Sequence, residues 1–177
     1  MLIGLVGKKY SGKDTLANYL VQKYNFKTYA YAKPLKNVCK ELFMLSDDQL
    51  HNPQQKEVID SRWGKSPRQL LQFIGTDIMR NQFSEDFWIK YFNLWYLTNK
   101  ESNVAVTDCR FQNELDAVKL QGGIIIKLER ITNHLDHHSS EMSIDTLQGI
   151  DFIVDNNSSI ETLYEKIDNF MSQRKNL

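Results

Sequence analysis

Leu2-Ile3-Gly4-Leu5-Val6-Gly7-Lys8-Lys9-Tyr10-Ser11-Gly12-Lys13-Asp14-Thr15 runs from a short apolar strand through a loop bounded by two glycines into a helix. Gly7 and Gly12 open backbone angles closed to other residues, so the loop can curl until successive N–H groups converge on a hollow the size of an oxyanion. Lys13 brings a full positive charge to that hollow, and the start of the helix adds oriented dipoles and unpaired N–H donors. The stretch reads as a phosphate cradle at the head of an α/β chain.

The spacing Gly7-x-x-x-x-Gly12-Lys13 is that of a P-loop, with one departure. Asp14 stands where a Ser or Thr hydroxyl ordinarily meets Mg²⁺. A carboxylate beside a polyphosphate must be neutralised by metal or by a cation. Asp14 is therefore a candidate to hold Mg²⁺ through water, with Thr15 supplying the hydroxyl one residue later.

The bulk numbers set limits on everything downstream. With 177 residues, 41% hydrophobic and 25% charged, the chain is long enough for one domain with a substantial core. Its 22 basic residues balance 22 acidic ones, so charge alone gives no basis for binding a polynucleotide. Cys39 and Cys109 lie far apart in apolar sequence without metal-type spacing, which reads as reduced thiols in a cytoplasmic protein. No signal-type run is expected at the N-terminus, and no apolar segment reaches the length needed to span a membrane.

Downstream of the loop, Leu16, Ala17, Leu20, Val21 and Tyr24 recur at helical spacing, and Lys27 to Ala32 reads as a second strand. Pro34 opens another helix, carrying Leu35, Val38, Leu42 and Phe43. A helical insertion is expected over about 33–100, leaving 1–32 and 101–177 as the core. Within it, Ser66-Pro67-Arg68-Gln69 is a helix start, with a Ser cap, Pro at the first position and Gln three residues past the cap. On that helix Leu70, Leu71, Ile74 and Ile78 form one face. Arg68, Gln72 and Thr76 recur every four residues on another, a row able to offer a guanidinium, an amide and a hydroxyl to one small ligand. The aromatic stripe Phe87, Trp88, Tyr91, Phe92, Trp95 and Tyr96 reads as core or as a subunit contact, the latter in a homodimer.

Asn103 to Thr107 is a third strand with Asp108 at its carboxyl end, where ligands bind in open α/β sheets, and Arg110 follows two residues on. A helix over 111–121 stops at Gly122-Gly123. Ile124 to Leu128 is a fourth strand, leading to Glu129-Arg130. The polar run that follows, with His134, His137 and His138, reads as a flap over about 130–145, since its spacing fits no common closed metal site. Asp151 to Asp155 is a fifth strand, and Ser158 with Glu161 caps a last helix with Ile160, Leu163, Tyr164, Ile167 and Phe170 on its buried stripe.

This order of elements is that of P-loop nucleoside monophosphate kinases: a five-stranded parallel sheet flanked by helices, with an inserted helical acceptor-binding subdomain and a flap. Five motifs sharpen the likeness: Gly12-Lys13-Asp14-Thr15, Tyr31-Ala32-Lys33-Pro34-Leu35-Lys36, the run Pro67 to Thr76, the run Thr107 to Glu114, and His138-Ser139-Ser140-Glu141. Together they resemble the deoxynucleoside monophosphate kinases of bacteriophages and other large DNA viruses, and the Gly-Lys-Asp-Thr form agrees with that family. Animal phosphomevalonate kinases are related.

The resemblance implies ATP as donor, Mg²⁺, and a deoxynucleoside monophosphate as acceptor, in the host cytoplasm if the source is viral. By this likeness Gly7, Lys8, Tyr10, Ser11, Gly12, Lys13, Asp14 and Thr15 hold the ATP phosphates. Lys33, Lys36, Arg68, Gln72, Thr76 and Arg110 lie around the acceptor, with Arg130, His138 and Glu141 closing from the flap side. Lys13, Arg68 and Arg130 supply positive charge to the transfer, and Asp108, with Asp14 and Thr15, places the metal. Two alternatives stay open at this point: a phosphomevalonate kinase-like phosphotransferase, and a module that binds ATP without transferring phosphate.

Overall fold

All five residues of β1 (Leu2–Val6) are buried, as befits the central strand of a parallel sheet covered on both faces. The computed structural model describes residues 1–131 and 143–174. In it β1, β2 (Phe26–Tyr29), β3 (Asn103–Cys109), β4 (Ile124–Glu129) and β5 (Phe152–Asp155) form one parallel sheet in the order β2-β3-β1-β4-β5. The chain fills one side of β1 first and the other side later. The crevice at the carboxyl end of β1, where the glycine loop begins, is thus a topological switch point.

The chain divides into two compact units, Met1–Ala30 with Tyr96–Leu177, and Tyr31–Trp95. In the first, α1 (Lys13–Tyr24) and α7 (Ile160–Arg174) cover one sheet face. Leu16 and Leu20 of α1 meet Ile3, Leu5, Ile126 and Leu128 of the sheet and Leu163 and Ile167 of α7. Each such fully buried aliphatic side chain contributes about 1.5–3 kcal/mol. A polar latch ties the two helices: Asp168 accepts from Tyr19 and Tyr24 hydroxyls, each at 2.7 Å, and from the Lys23 ammonium at 2.6 Å. Tyr19 also stacks on Tyr164 with ring centroids 3.8 Å apart. On the other strand face α6 (Gln112–Leu120) buries Leu115 and Val118.

The second unit packs α2 (Ala32–Phe43), α3 (Asp47–His51) and α4 (Pro67–Gln72) around Cys39, Leu45, Leu50 and Leu70. Ser46 and Ser66 each close a reciprocal capping box, with Gln49 and Gln69. Between α3 and α4 the chain forms a short 3-10 turn (Gln55–Glu57) and a tight loop joined by an Asp60–Lys65 bridge. Buried Asp60 anchors that loop, since hydrogen bonds from Arg62 and then Gln49 hold its carboxyl well below the usual carboxylate range.

Several boundaries move from the sequence reading. β2 ends at Tyr29, because α2 starts at Ala32 and keeps Pro34 within its first turn, where a missing N–H costs nothing. The regular helix expected after Pro67 is α-helical only to Gln72; Phe73–Phe83 then winds as a π-helix. Tertiary contacts accompany that change. Leu35 reaches so close to Gly75 that an added Cβ there would lie 2.5 Å from a Leu35 methyl. Trp88, on α5 (Phe87–Leu97), donates its Nε1–H to the Gly75 carbonyl at 2.9 Å. Trp88, Phe92 and Tyr96 of the aromatic stripe are buried, while Tyr91 is exposed. Val38 and Leu42 of α2 are exposed, and Cys39 is buried instead. Ser159, not Ser158, accepts from the N-terminal turn of α7, leaving Ile160 exposed. Among the described residues no helix is long and apolar enough to cross a membrane.

Candidate active site

The glycine loop is shaped by contacts that permit no side chain at two points. A Cβ on Gly12, whose φ is +100°, would lie 2.3 Å from Asn156 Nδ2. A Cβ on Gly7 would lie 2.7 Å from the Leu128 carbonyl oxygen and 2.5 Å from Ser11 Oγ. Tyr10 also takes a left-handed conformation, at φ 65°. Lys13 folds back over the loop, donating its Nζ to the Gly7 carbonyl and, at 2.8 Å, to that of Lys8. Gly12 stands at the cap position of α1 and offers no side-chain acceptor there, so the helix terminus keeps its electropositive character beside Lys13. Asp14 is exposed in the first turn of α1 and Thr15 is half-buried next to it.

β3 carries the next pair of candidates. Its register against β1 runs Gly4 to Val106 and then Val6 to Cys109, so one extra residue is accommodated on β3 between those pairs. Such a bulge re-aims side chains beside it. It falls where Thr107 and half-buried Asp108 stand, and Cys109 beyond it is fully buried. Burial pushes the Cys109 thiol well up, with the nearby charges of Glu114 and Asp108 acting the same way, so it remains a neutral packing group. Arg110 follows in the turn to α6. Buried Glu114 accepts from the Arg110 and Phe111 backbone N–H groups, at 2.8 and 3.2 Å, and so fixes that turn.

A cleft of about 190 Å³ opens between the loop and the end of β4, lined by Lys8, Ser11, Lys127, Glu129, Arg130 and Asp145, with Leu128 and Ile144. It brings Lys8, Ser11 and Arg130 together, three residues expected from sequence. Two of its cations carry carboxylate partners: Lys8 bonds Asp145 at 2.6 Å, and Lys127 bonds Glu129 at 2.9 Å. His138 and Glu141, and most of the flap expected over about 130–145, lie outside the described residues.

The acceptor-side candidates of the second unit sit on two helices. Lys33 and Lys36 are on α2, Lys33 exposed and Lys36 with its Nζ 3.4 Å from His51 Nδ1. The Lys36 charge, followed by burial, lowers the His51 pKa. Arg68 is on α4, and its Nε donates to Glu57 Oε1 at 2.5 Å. Gln72 closes α4 and Thr76 lies in the π-helix, both half-buried.

Residues 1–58 and 40–167 match the profile of the family described as deoxynucleotide monophosphate kinase. A protein of Acanthamoeba polyphaga mimivirus named for that activity is 41% identical over 182 residues, covering 94% of each chain. The chain belongs to the deoxynucleotide monophosphate kinase family. Members named deoxynucleotide monophosphate kinase from Escherichia phage RB69 and Enterobacteria phage T4 are 32% and 34% identical over 64% and 63% of this chain. The matched regions span 47% and 46% of those phage proteins, about half their length. Among solved structures, a shikimate kinase from Aquifex aeolicus matches with a TM-score of 0.56 at 16% identity, over 99% of this chain and 98% of that one. A dephospho-CoA kinase from Campylobacter jejuni matches at 0.53 and 15%, over 97% and 96%. At those identities the likeness is one of fold, and the fold is that of P-loop kinases.

As a member of the deoxynucleotide monophosphate kinase family the chain is a kinase, and four partners of its candidate residues went unassigned in the sequence reading. Glu57 pairs with Arg68, Asp145 with Lys8, and Glu114 holds the turn after β3. Asn156, at the end of β5, donates to the Ser11 carbonyl at 2.9 Å from a buried position. Glu114 closes the Thr107-to-Glu114 motif, so a signal for it was present. The other three are partners through space, which spacing along the chain does not reveal.

Proposed function

We propose that the chain transfers the γ-phosphoryl group of ATP to a deoxynucleoside 5′-monophosphate, releasing the diphosphate and ADP. The observation that carries this reading is the Gly7–Thr15 loop: a left-handed Gly12 at the start of α1, beside an ammonium poised over the loop. Family membership supplies the acceptor class, since the relatives are named for deoxynucleotide monophosphates.

In the transfer an oxygen of the acceptor phosphate attacks the γ-phosphorus while the bond to the β–γ bridging oxygen breaks, and the electron pair leaves with ADP. Charge spreads over the peripheral oxygens, so alignment and cations matter more than a strong base. In this reading Lys13 holds the donor phosphates together with the loop N–H groups, and Arg68, Arg110 and Arg130 hold phosphate oxygens of acceptor and donor. Lys33, Lys36, Gln72 and Thr76 are further candidates to bind the acceptor, as are His138 and Glu141 by the family likeness. Asp14, Thr15 and Asp108 would hold Mg²⁺, directly or through water, since carboxylate and hydroxyl oxygens are the hard donors that suit it. Bound there, Mg²⁺ would neutralise the polyphosphate.

The balanced charge of the chain supports small nucleotides as partners, without a polynucleotide or a membrane. Buried free Cys39 and Cys109 support a reducing cytoplasm, the host's if the source is viral. Exposed Tyr91 and Leu94 on α5 support a homodimer.

The test is product formation from ATP and each common ribo- and deoxyribonucleoside monophosphate with Mg²⁺, with phosphomevalonate as a further acceptor. Turnover with one or more deoxynucleotides, none with phosphomevalonate, and a loss of roughly 10³-fold or more in Lys13→Ala at unchanged circular dichroism is the expected result. Absence of turnover with every nucleotide overturns the reading.

A further inference from the structure

The geometry points to Asn156 as a positioning residue of the nucleotide-donor site, acting through the Ser11–Gly12 peptide; the inference rests on the proposed reading that the Gly7–Thr15 loop holds the phosphates of ATP. Asn156 immediately follows β5 and is buried, 7% exposed. Its backbone N–H donates to the Glu129 carbonyl at 2.8 Å, which pins the residue to the end of β4. Its side-chain Nδ2 donates to the Ser11 carbonyl oxygen at 2.9 Å, across 145 residues of sequence, and lies against the Cα of Gly12.

The consequence follows from peptide geometry. No peptide bond among the described residues is cis, so the Ser11 C=O and the Gly12 N–H point in opposite directions from one rigid plane. By holding the carbonyl, Asn156 fixes where that N–H aims: away from the turn after β5, across the loop. A carbonyl swung the other way would present its negative end to the donor phosphates in place of an N–H. The same side chain occupies the space beside Gly12, so the plane has little room to turn. Asn157 extends the brace, its Oδ1 accepting from the Ile131 N–H at 2.8 Å. Through two adjacent asparagines the turn after β5 thus connects the phosphate loop to the residues that follow β4.

Asn156 touches neither reacting atom in this account, so its removal should weaken the donor and leave the acceptor alone. Asn156→Leu keeps the approximate shape and removes the amide; Asn156→Ala removes the group altogether and serves if the leucine variant does not fold. Calorimetric titration with MgADP, steady-state KM for ATP and for the acceptor, and thermal melting are measured on wild type and variant. Expected are MgADP binding by the wild type, and in the variant an affinity about tenfold or more weaker, with a parallel rise in KM for ATP. The acceptor KM stays within twofold.

Unchanged MgADP affinity in a folded variant overturns the assignment. So does a loss of activity that only tracks the folded fraction, or equal rises in both KM values, since either marks a structural role. A wild type that binds no MgADP strikes the donor reading itself, a different failure from a variant that binds as well as wild type.

Discussion

The two units hold their candidate site residues by different means. Around the glycine loop several restraints end on main chain: Lys13 on the Gly7 and Lys8 carbonyls, Asn156 on the Ser11 carbonyl, Glu114 on the N–H groups of Arg110 and Phe111, while Lys8 pairs with the Asp145 side chain. In the second unit they run from side chain to side chain: Arg68 to Glu57, Lys36 beside His51. A main-chain partner stays where the fold puts it. A partly exposed ion pair is worth little and can exchange partners at small cost.

The sharpest way to break that contrast is Gly12→Ala. The substitution forces a side chain into φ +100° and places its Cβ 2.3 Å from Asn156 Nδ2. The first effect strains the main chain and the second displaces the Asn156 amide that braces it, so we expect MgADP affinity to fall about 100-fold or more and stability to drop by roughly 1–3 kcal/mol. Calorimetry and thermal melting measure the two. A variant that binds MgADP like wild type would mean the loop is more pliable than its contacts indicate.

Arg68 and Glu57 probe the other side of the comparison, with smaller effects. Arg68→Ala should raise the acceptor KM by roughly 10- to 100-fold while the KM for ATP stays within twofold, and Arg68→Lys should recover only part of the loss because the planar fork is gone. On the proposed reading, Glu57→Gln removes a group that competes with the acceptor phosphate for the same guanidinium. It should lower the acceptor KM about two- to threefold and change stability by less than about 1 kcal/mol. A large loss of stability in Glu57→Gln would show that the pair is structural, and the contrast between the units would fail at that point.

What could be read from the sequence follows the same division. The glycine loop and the Ser66 cap were legible because each depends on residues near one another in the chain, with backbone chemistry that spacing exposes; β3 runs on through Asp108 to Cys109, two residues past the strand expected to stop at Thr107. β1, β3 and β4 were legible because buried strands are short apolar runs. The π-helix was not, since Leu70, Leu71, Ile74 and Ile78 fit an α-helix; Leu35 against Gly75 and the Trp88 indole on its carbonyl come from elsewhere in the chain. Asn156 was hidden for a related reason. An asparagine after a strand reads as a turn residue, and only the fold brings it to Ser11, 145 positions away. The extra residue that β3 carries near Thr107 and Asp108 left no trace in an unbroken strand pattern.

The latch between α1 and α7 separates the kind of restraint from its location, because it is built from side chains yet lies in the first unit. Burial first, then the hydrogen bond and charge of Asp168, raise the Tyr24 phenol to about 12. Burial alone would raise the Asp168 carboxyl, but hydrogen bonds from Lys23, Tyr19 and Tyr24 outweigh it and hold the group below the usual carboxylate range. The signs are opposite. For Tyr24 the folded state keeps its proton longer than the unfolded chain, so the stabilisation is complete below the ordinary tyrosine pKa and fades as pH climbs toward 12. For Asp168 it is complete above the ordinary aspartate pKa and fades as pH falls through the lowered one. Wild type should therefore melt above Tyr24→Phe at pH 8 by a few degrees, with the gap narrowing steadily between about pH 10 and 11. MgADP affinity, which on the proposed reading depends on the main-chain cradle, should not follow that change where both proteins remain folded. If affinity falls in step with the latch, restraint by side chains reaches the phosphate loop too, and the boundary between the two kinds of restraint does not coincide with the site.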